Sequence, residues 1–229
     1  ATPGARVLRW GTAAVVGVVA LGLPTILRAD QQFRAAALLI YAVLGLSLVM
    51  LSGWGGIVSL GQIAFFAIGA AVTGFVVGEW GADLFAGLVL AMVAGAASAA
   101  VVGVPALRLR GLYLAIVTVG LVFIGIHLSR LFPEIAGPAE VGRDFPALEF
   151  RWWKEENPFI SFEDSGHWLW FDISGPAKQY LFCLLLLGVF ILIAKNLHRS
   201  RTGRALQAIR DRDVAAEVMG VPEVKYKLI

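Results

Sequence analysis

AAALLIYAVLGLSLVMLSGWGGIVSLGQIAFFAIGAAVTGFVVG, running from Ala35 to Gly78, carries no charged side chain over about twice the length of a membrane helix. Crossing the hydrocarbon takes about 20 apolar residues and a charge inside it is costly, so this stretch predicts two spanning segments, near 35–51 and 62–78. Between them Ser52–Gln62, SGWGGIVSLGQ, places four glycines in eleven residues, which makes a poor continuous helix. A break at membrane depth is tolerated only where protein or a water-filled cavity covers the freed backbone groups. The same residues also read as a short loop that leaves Ser59 and Gln62 at a helix start.

Working outward, Trp10–Leu27 with Pro24 near its end, Leu84–Leu107, Gly111–Ser129 and the shorter Gln179–Ala194 are further windows without charge. In the last of these, Lys178 and Lys195 can snorkel from the two ends. The composition agrees: 59% of residues are hydrophobic, 15% are charged and the mean hydropathy is +0.79, more apolar surface than a core of this size can bury. The predicted fold is all-α, a polytopic transmembrane helical domain over 1–229 with at least six membrane segments. The chain lacks an initiator Met and stops as a new apolar run begins, so further sequence is expected at both ends.

Topology follows from Lys and Arg in short loops. Arg6 and Arg9, Arg108 and Arg110, and the cluster Arg199, Arg201, Arg204, Arg210 and Arg212 are separated by four and then two spans. All three therefore fit the cytoplasmic side, with the N terminus inside. Arg28 and Arg34 fall outside, against the rule, beside Asp30. Residues 133–177 form an extracytoplasmic loop poor in bases: Arg143, Arg151 and Lys154 stand against Glu134, Glu140, Asp144, Glu149, Glu155, Glu156, Glu163, Asp164 and Asp172. The net charge of +3 thus averages two opposite regions and gives no sign of nucleic-acid binding. Trp152, Trp153, Trp168 and Trp170 in that loop suit an interfacial belt, and its acids offer a surface for an extracytoplasmic partner.

Several function classes are disfavoured. A secretory signal at 6–27 lacks a small-residue cleavage pattern. Cys183 is the sole cysteine, so no intrachain disulfide forms. No metal-ligand cluster or nucleophile triad is apparent, and no lysine lies in a G-x-x-x-x-G-K-[ST] loop. An ion-coupled secondary transporter usually carries a charge within a span, and the charge-free windows hold none. His127 and Arg130 end the fifth window where amphipathic side chains belong. Gly74 and Gly78 form a GxxxG, and Ala91, Gly95 and Ala99 continue a small stripe suited to close helix packing.

The segment 199–222 is basic and weakly amphipathic. Thr202 can cap a short helix whose Ala205, Leu206 and Ile209 share a face, and Asp211 or Asp213 can cap a second ending at Gly220 before Pro222. Two such helices present an apolar knob ringed by charge. A helix lying on anionic headgroups is the alternative reading.

Three blocks carry a family resemblance: SGWGGIVSLGQIAFFAIGA (Ser52–Ala70), VPALRLRGLYLAIVTVG (Val104–Gly120) and RSRTGRALQAIRDRDVAAEVMGV (Arg199–Val221). In order and spacing the chain from Ala35 onward resembles the permease subunits of bacterial branched-chain amino acid ABC importers, the LivM type. The resemblance implies a subunit of the bacterial cytoplasmic membrane that pairs with a second related permease, two ABC ATPase subunits and an extracytoplasmic solute-binding protein. It implies no cofactor on this chain, with ATP and Mg on the ATPases, and ATP-driven translocation by alternating access. It also implies a coupling segment, for which Gly203, Arg204, Ala205, Ile209, Arg210, Asp211, Ala215, Ala216 and Gly220 are the candidate residues. The family's EAA-x3-G pattern is met by Ala215, Ala216 and Gly220, with Val214 where the Glu would stand; the preceding GRALQAIRD is more specific to this class. Polar and apolar partners for an amino acid are sought in Ser59, Gly61, Gln62 and Phe65, with Tyr113 and Thr118 of the fifth span. A permease for urea or a short amide is the alternative substrate reading.

Overall fold

The computed structural model describes residues 3–56, 59–106, 112–137, 149–150, 160–162, 166–168, 171–212 and the single positions 216, 219 and 226. Helix α1 runs Pro3–Ile26 and α2 Ala29–Leu48, which passes directly into a π-helical turn at Val49–Trp54. Then come α3 Gln62–Trp80, α4 Leu84–Ala106, α5 Leu112–Leu131, the four-residue α6 Pro133–Ala136, α7 Gly175–Arg199 and α8 Arg201–Asp211. The boundaries of α3, α4 and α5 follow the charge-free windows closely, whereas α1, α2 and α7 begin earlier and take in Arg6 and Arg9, Asp30 and Arg34, and Lys178. Between α6 and α7 lie two small antiparallel ladders, β1 Glu149–Phe150 with β2 Ile160–Ser161, and β3 Gly166–Trp168 with β4 Phe171–Ile173. These short pairs are the only departure from the all-α expectation among the described residues. Trp152, Trp153, Trp170, Glu155 and Glu156 lie outside those residues.

Among the described residues, five helical stretches are long and apolar enough to cross a membrane: Ala29–Trp54, Gln62–Trp80, Leu84–Gly103, Tyr113–Leu131 and Gly175–Arg199. In α1 the apolar stretch Val15–Ile26 is shorter. Side chains on these helices, such as Leu38, Phe85, Phe123 and Leu192, are more than half exposed, as a lipid-facing surface requires.

The chain divides into two compact units, Ala1–Val43 with Phe162–Phe190, and Leu44–Ser161 with Ile191–Ile229. The first is organised around a proline. Pro24 has no N–H, so the carbonyl of Ala20, its normal helical acceptor, loses its partner. The Tyr180 hydroxyl donates to that carbonyl at 3.0 Å. Gln32, buried on α2, donates its amide to the carbonyls of Pro24 at 2.7 Å and Leu27 at 3.0 Å. Its Oε1 accepts the Ser174 hydroxyl at 3.1 Å, so one amide ties the end of α1 to the start of α7. The Arg28 N–H donates to Gln31 Oε1 at 3.1 Å, half of a capping box at the start of α2. Lys178 does not snorkel as expected: it is buried in this unit at 4% exposure, while Lys195 is exposed. With α7 starting at Gly175, Lys178 lies within the first turn of the helix and not at a free end.

In the second unit α3 and α4 form a tight hairpin through Gly81, which adopts φ 58°. Their closest approach is at Gly87, where an added methyl would stand 2.8 Å from Val77 Cγ2, and the Thr73 hydroxyl lies 3.4 Å from the Gly87 carbonyl. Gly69 meets Ala91 farther along. The expected small-residue stripe contributes only in part: Gly74 is buried, Gly78 and Ala99 are exposed, and Gly95 faces open space.

Gln32→Leu removes the donor for two carbonyls and the acceptor for Ser174, and should destabilise the protein by about 1–2 kcal/mol. A thermal unfolding scan of the detergent-solubilised chain checks this, and an unchanged midpoint would refute the bracing role.

Candidate functional site

Helical geometry ends at Trp54 and restarts at Gln62, so the glycine-rich stretch is a true interruption of the helical path. Gly55 closes the π turn through its N–H to the Met50 carbonyl at 3.3 Å, and Gly56 then turns the chain at φ 64°, where a side chain is disfavoured.

The far half of the break is braced by α5. The Leu60 N–H donates to Thr118 Oγ1 at 3.0 Å, while the Thr118 hydroxyl donates to the Ala115 carbonyl at 2.9 Å. Gly61 lies so close to α5 that a methyl would stand 3.1 Å from the Thr118 carbonyl oxygen and 3.2 Å from its Cβ. The Gly61 N–H turns back to Ser59 Oγ at 3.4 Å. Ser47, on α2, donates to the Leu44 carbonyl at 2.9 Å and stands 3.3 Å from Gln62 Oε1. Ser59 and Thr118 are buried at 7% and 6% exposure, a small polar cluster in an apolar surround.

The near half of the break is braced by α8. The Arg210 guanidinium donates to the Gly53 carbonyl, and a methyl at Gly56 would lie 3.1 Å from Arg210 Cγ. Gly53 belongs to the last turn of its helix, where carbonyls lack intrahelical partners and the helix dipole is negative, which favours a cation there. One turn earlier on α8, Gln207 Nε2 sits 2.7 Å from His198 Nδ1, and the His198 ring packs on Trp54 with centroids 4.8 Å apart.

A sharp corner holds α8 in this position. Ser200, not Thr202, is the N-cap: its side chain accepts the Gly203 N–H at 3.2 Å and donates to the Leu197 carbonyl at 2.7 Å. Gly203 has no room for a side chain, since a methyl would run into the Leu197 carbonyl and stand 2.7 Å from that of His198. The apolar face expected to project outward is turned onto the chain instead. Ile209 is 3% exposed and Ala205 and Leu206 are half-buried, whereas Arg201, Arg204, Ala208, Asp211 and Arg212 are exposed. After α8, the Ala216 N–H donates to the Arg212 carbonyl at 3.0 Å. Ala216 is buried; Asp213, Ala215 and Gly220 lie outside the described residues.

Of the residues expected to line a path, the fold brings Ser59, Gly61, Gln62 and Thr118 together, with Phe65 half-buried one turn along α3. Tyr113 is 72% exposed, because five residues from Thr118 is a different helix face. Ser47, Trp54, Gln207 and His198 were missed. The available signal for two of them was an aromatic and an imidazole, each at the C-terminal end of an apolar segment.

Five described helices long and apolar enough to cross a membrane, with a buried polar cluster where two of them join, give the chain the build of a polytopic membrane protein. The family model described as branched-chain amino acid transport system, permease component, matches residues 33–229, and the chain belongs to that family. It is 31% identical over 221 residues to the high-affinity branched-chain amino acid transport system permease protein LivM of Salmonella typhimurium. With the LivM of Escherichia coli the identity is 30% over 216 residues. Each alignment takes in 92% of this chain and 51% of the relative, so the chain spans about half the length of these curated proteins. No solved structure gives a significant match.

Gly203→Ala should force α8 out of its corner and expose the bonds after Arg199, Arg201 and Arg204. Limited trypsin digestion of the detergent-solubilised protein should then cut this segment faster than in the unaltered chain, and an unchanged digestion pattern would contradict the close approach described.

Proposed function

We propose that this chain is part of the membrane-spanning permease subunit of a bacterial ATP-driven ABC importer that moves branched-chain amino acids across the cytoplasmic membrane by alternating access. The observation that carries the reading is the family match joined to a buried polar helix break. In this account α1 is a sixth span, the N terminus is cytoplasmic, 133–177 faces outward and 199–222 faces the cytoplasm. The Arg210–Gly53 contact supports that topology. It joins the ends of two helices separated by four crossings, and a residue cluster rich in Arg belongs inside.

Ser59, Gly61, Gln62 and Thr118, with Phe65 as apolar wall, border the solute path. Backbone and hydroxyl groups there can meet the charged ends of a zwitterion, which the apolar surround would otherwise exclude. Tyr113, on the outer face of α5, reaches the path only from a neighbouring subunit. The chain contributes no nucleotide site; ATP and Mg act on two partner ATPases, and a second permease and a solute-binding protein complete the assembly. The exposed face of α8, Arg204 and Asp211 above all, with Ala215 and Gly220 beyond it, meets the ATPase, and the buried Ala216 packs behind that surface.

The test is uptake by the complete permease reconstituted with its partners in proteoliposomes. Labelled leucine should accumulate only with ATP, and labelled urea should not. ATP-dependent uptake of urea without leucine would overturn the substrate, and uptake of either without ATP would overturn the importer. Arg204→Glu should weaken recovery of the ATPases with the purified permease by about tenfold, as loss of a charge-assisted contact does.

A further inference from the structure

We propose that α8 and the near half of the helix break form one mechanical piece, latched by Arg210 and by the Gln207–His198–Trp54 stack, so that displacement of α8 reaches residues 53–61 directly. The proposal rests on the importer reading above and assigns Arg210 an internal positioning role in place of a contact with the ATPase.

Gln207 and Arg210 stand three residues apart and so share one face of α8. Both reach the end of the helix formed by α2 and its π turn, but by separate routes. Arg210 engages the Gly53 carbonyl and lies over Gly56, while Gln207 orients the imidazole that packs on Trp54. Two contacts on one face fix both the position and the rotation of α8 against the break, where a single contact would act as a pivot. The turn that receives them is π-helical, a rare geometry that is frequent at functional sites.

From there the path to the polar cluster is short. Gly56 is three residues from Ser59, and Leu60 and Gly61 are held to α5 by Thr118. The segment between Gly56 and Leu60 is therefore pinned at both ends, to α8 on one side and to α5 on the other. If α8 moves relative to α5, the chain between Gly56 and Leu60, which includes Ser59, takes up the difference. That is where the solute path is assigned.

The geometry offers a direct test. A Cβ at Gly56 would lie 3.4 Å from Arg210 Cβ, close to the separation a disulfide spans. The experiment uses the complete permease carrying Cys183→Ala, Gly56→Cys and Arg210→Cys, assembled with its partner permease, ATPases and binding protein in proteoliposomes. Gly56→Ala serves as control for the left-handed backbone at that position. Reduced, this variant should take up leucine about tenfold more slowly per ATP hydrolysed, because the Arg210 bond is gone. Oxidised, it should regain most of the lost uptake, since the disulfide replaces the latch. The cross-link should form to the same yield with and without ATP, a readout that needs no substrate. Arg210→Gln should likewise lower uptake per ATP while the ATPases stay bound, and Arg210→Lys should recover part of it.

A cross-linked form as inactive as the reduced one would show that α8 and the break must separate, and would overturn the proposal. A yield that falls on ATP binding, or an Arg210→Gln variant with normal uptake, would do the same. Loss of the ATPases from Arg210→Gln would return the residue to the subunit joint. Failure of the importer reading itself would appear in the unaltered complex, as absent uptake of leucine, before any variant is made.

Discussion

A peptide group left over where a helix ends against packed apolar neighbours must find its partner within the protein, because a buried backbone group left unpaired costs about as much as a lost hydrogen bond. Among the described residues, three groups at 53–56 and 59–61 find such partners. The Leu60 N–H goes to Thr118, the Gly61 N–H to Ser59 and the Gly53 carbonyl to Arg210. Each partner comes with its own positioning. Thr118 is anchored by its bond to Ala115, and Arg210 is set by the Ser200 cap and the close corner at Gly203. Opening the helix therefore commits α5 and α8 to fixed places against it.

The same demand recurs at Pro24 in the other unit. A proline strands the Ala20 carbonyl, and Tyr180 and Gln32 arrive from other helices to serve it and its neighbours. The two sites differ in kind. At Pro24 the partners are buried and tie helices into a static bundle, whereas at the glycine-rich break one partner is an exposed arginine on a short surface helix. An exposed brace can be moved from outside the bundle; a buried one cannot without unpacking it.

Much of this was legible in the residues. Helix positions follow from where charges stop, since the hydrocarbon penalises every Asp, Glu, Lys and Arg; the ends of α3, α4 and α5 fall close to their charge-free windows, while α1, α2 and α7 run past charged residues at their starts. The interruption was visible in the glycines of 53–61, Gly61 among them, and Ser59, Gln62 and Thr118 were legible as polar residues in apolar runs. Pairings between distant segments were not. Nothing local links Arg210 to Gly53, or His198 to Trp54, because the acceptor is a backbone carbonyl that every residue possesses. The inward turn of Ile209 was hidden for a related reason: an amphipathic helix shows that it has an apolar face, but not whether a partner or its own chain covers it. Ser200 was passed over as a cap because Thr202 had equal chemistry, and only the corner with α7 distinguishes them. Lys178 was read as a free end because the window of apolar residues was shorter than the helix.

The central claim is that α8 and the end of the α2 helix travel together while α5 holds the far side of the break. The most direct measurement is the distance between spin labels at Val49→Cys and Ala208→Cys in a Cys183→Ala chain, taken by pulsed electron resonance on the assembled complex with and without ATP. Both positions are exposed and lie within the same compact unit. The account predicts one unchanged distance distribution in the two states. A shift between them approaching a helical turn, about 5 Å, would show that α8 slides past the break, and would contradict it.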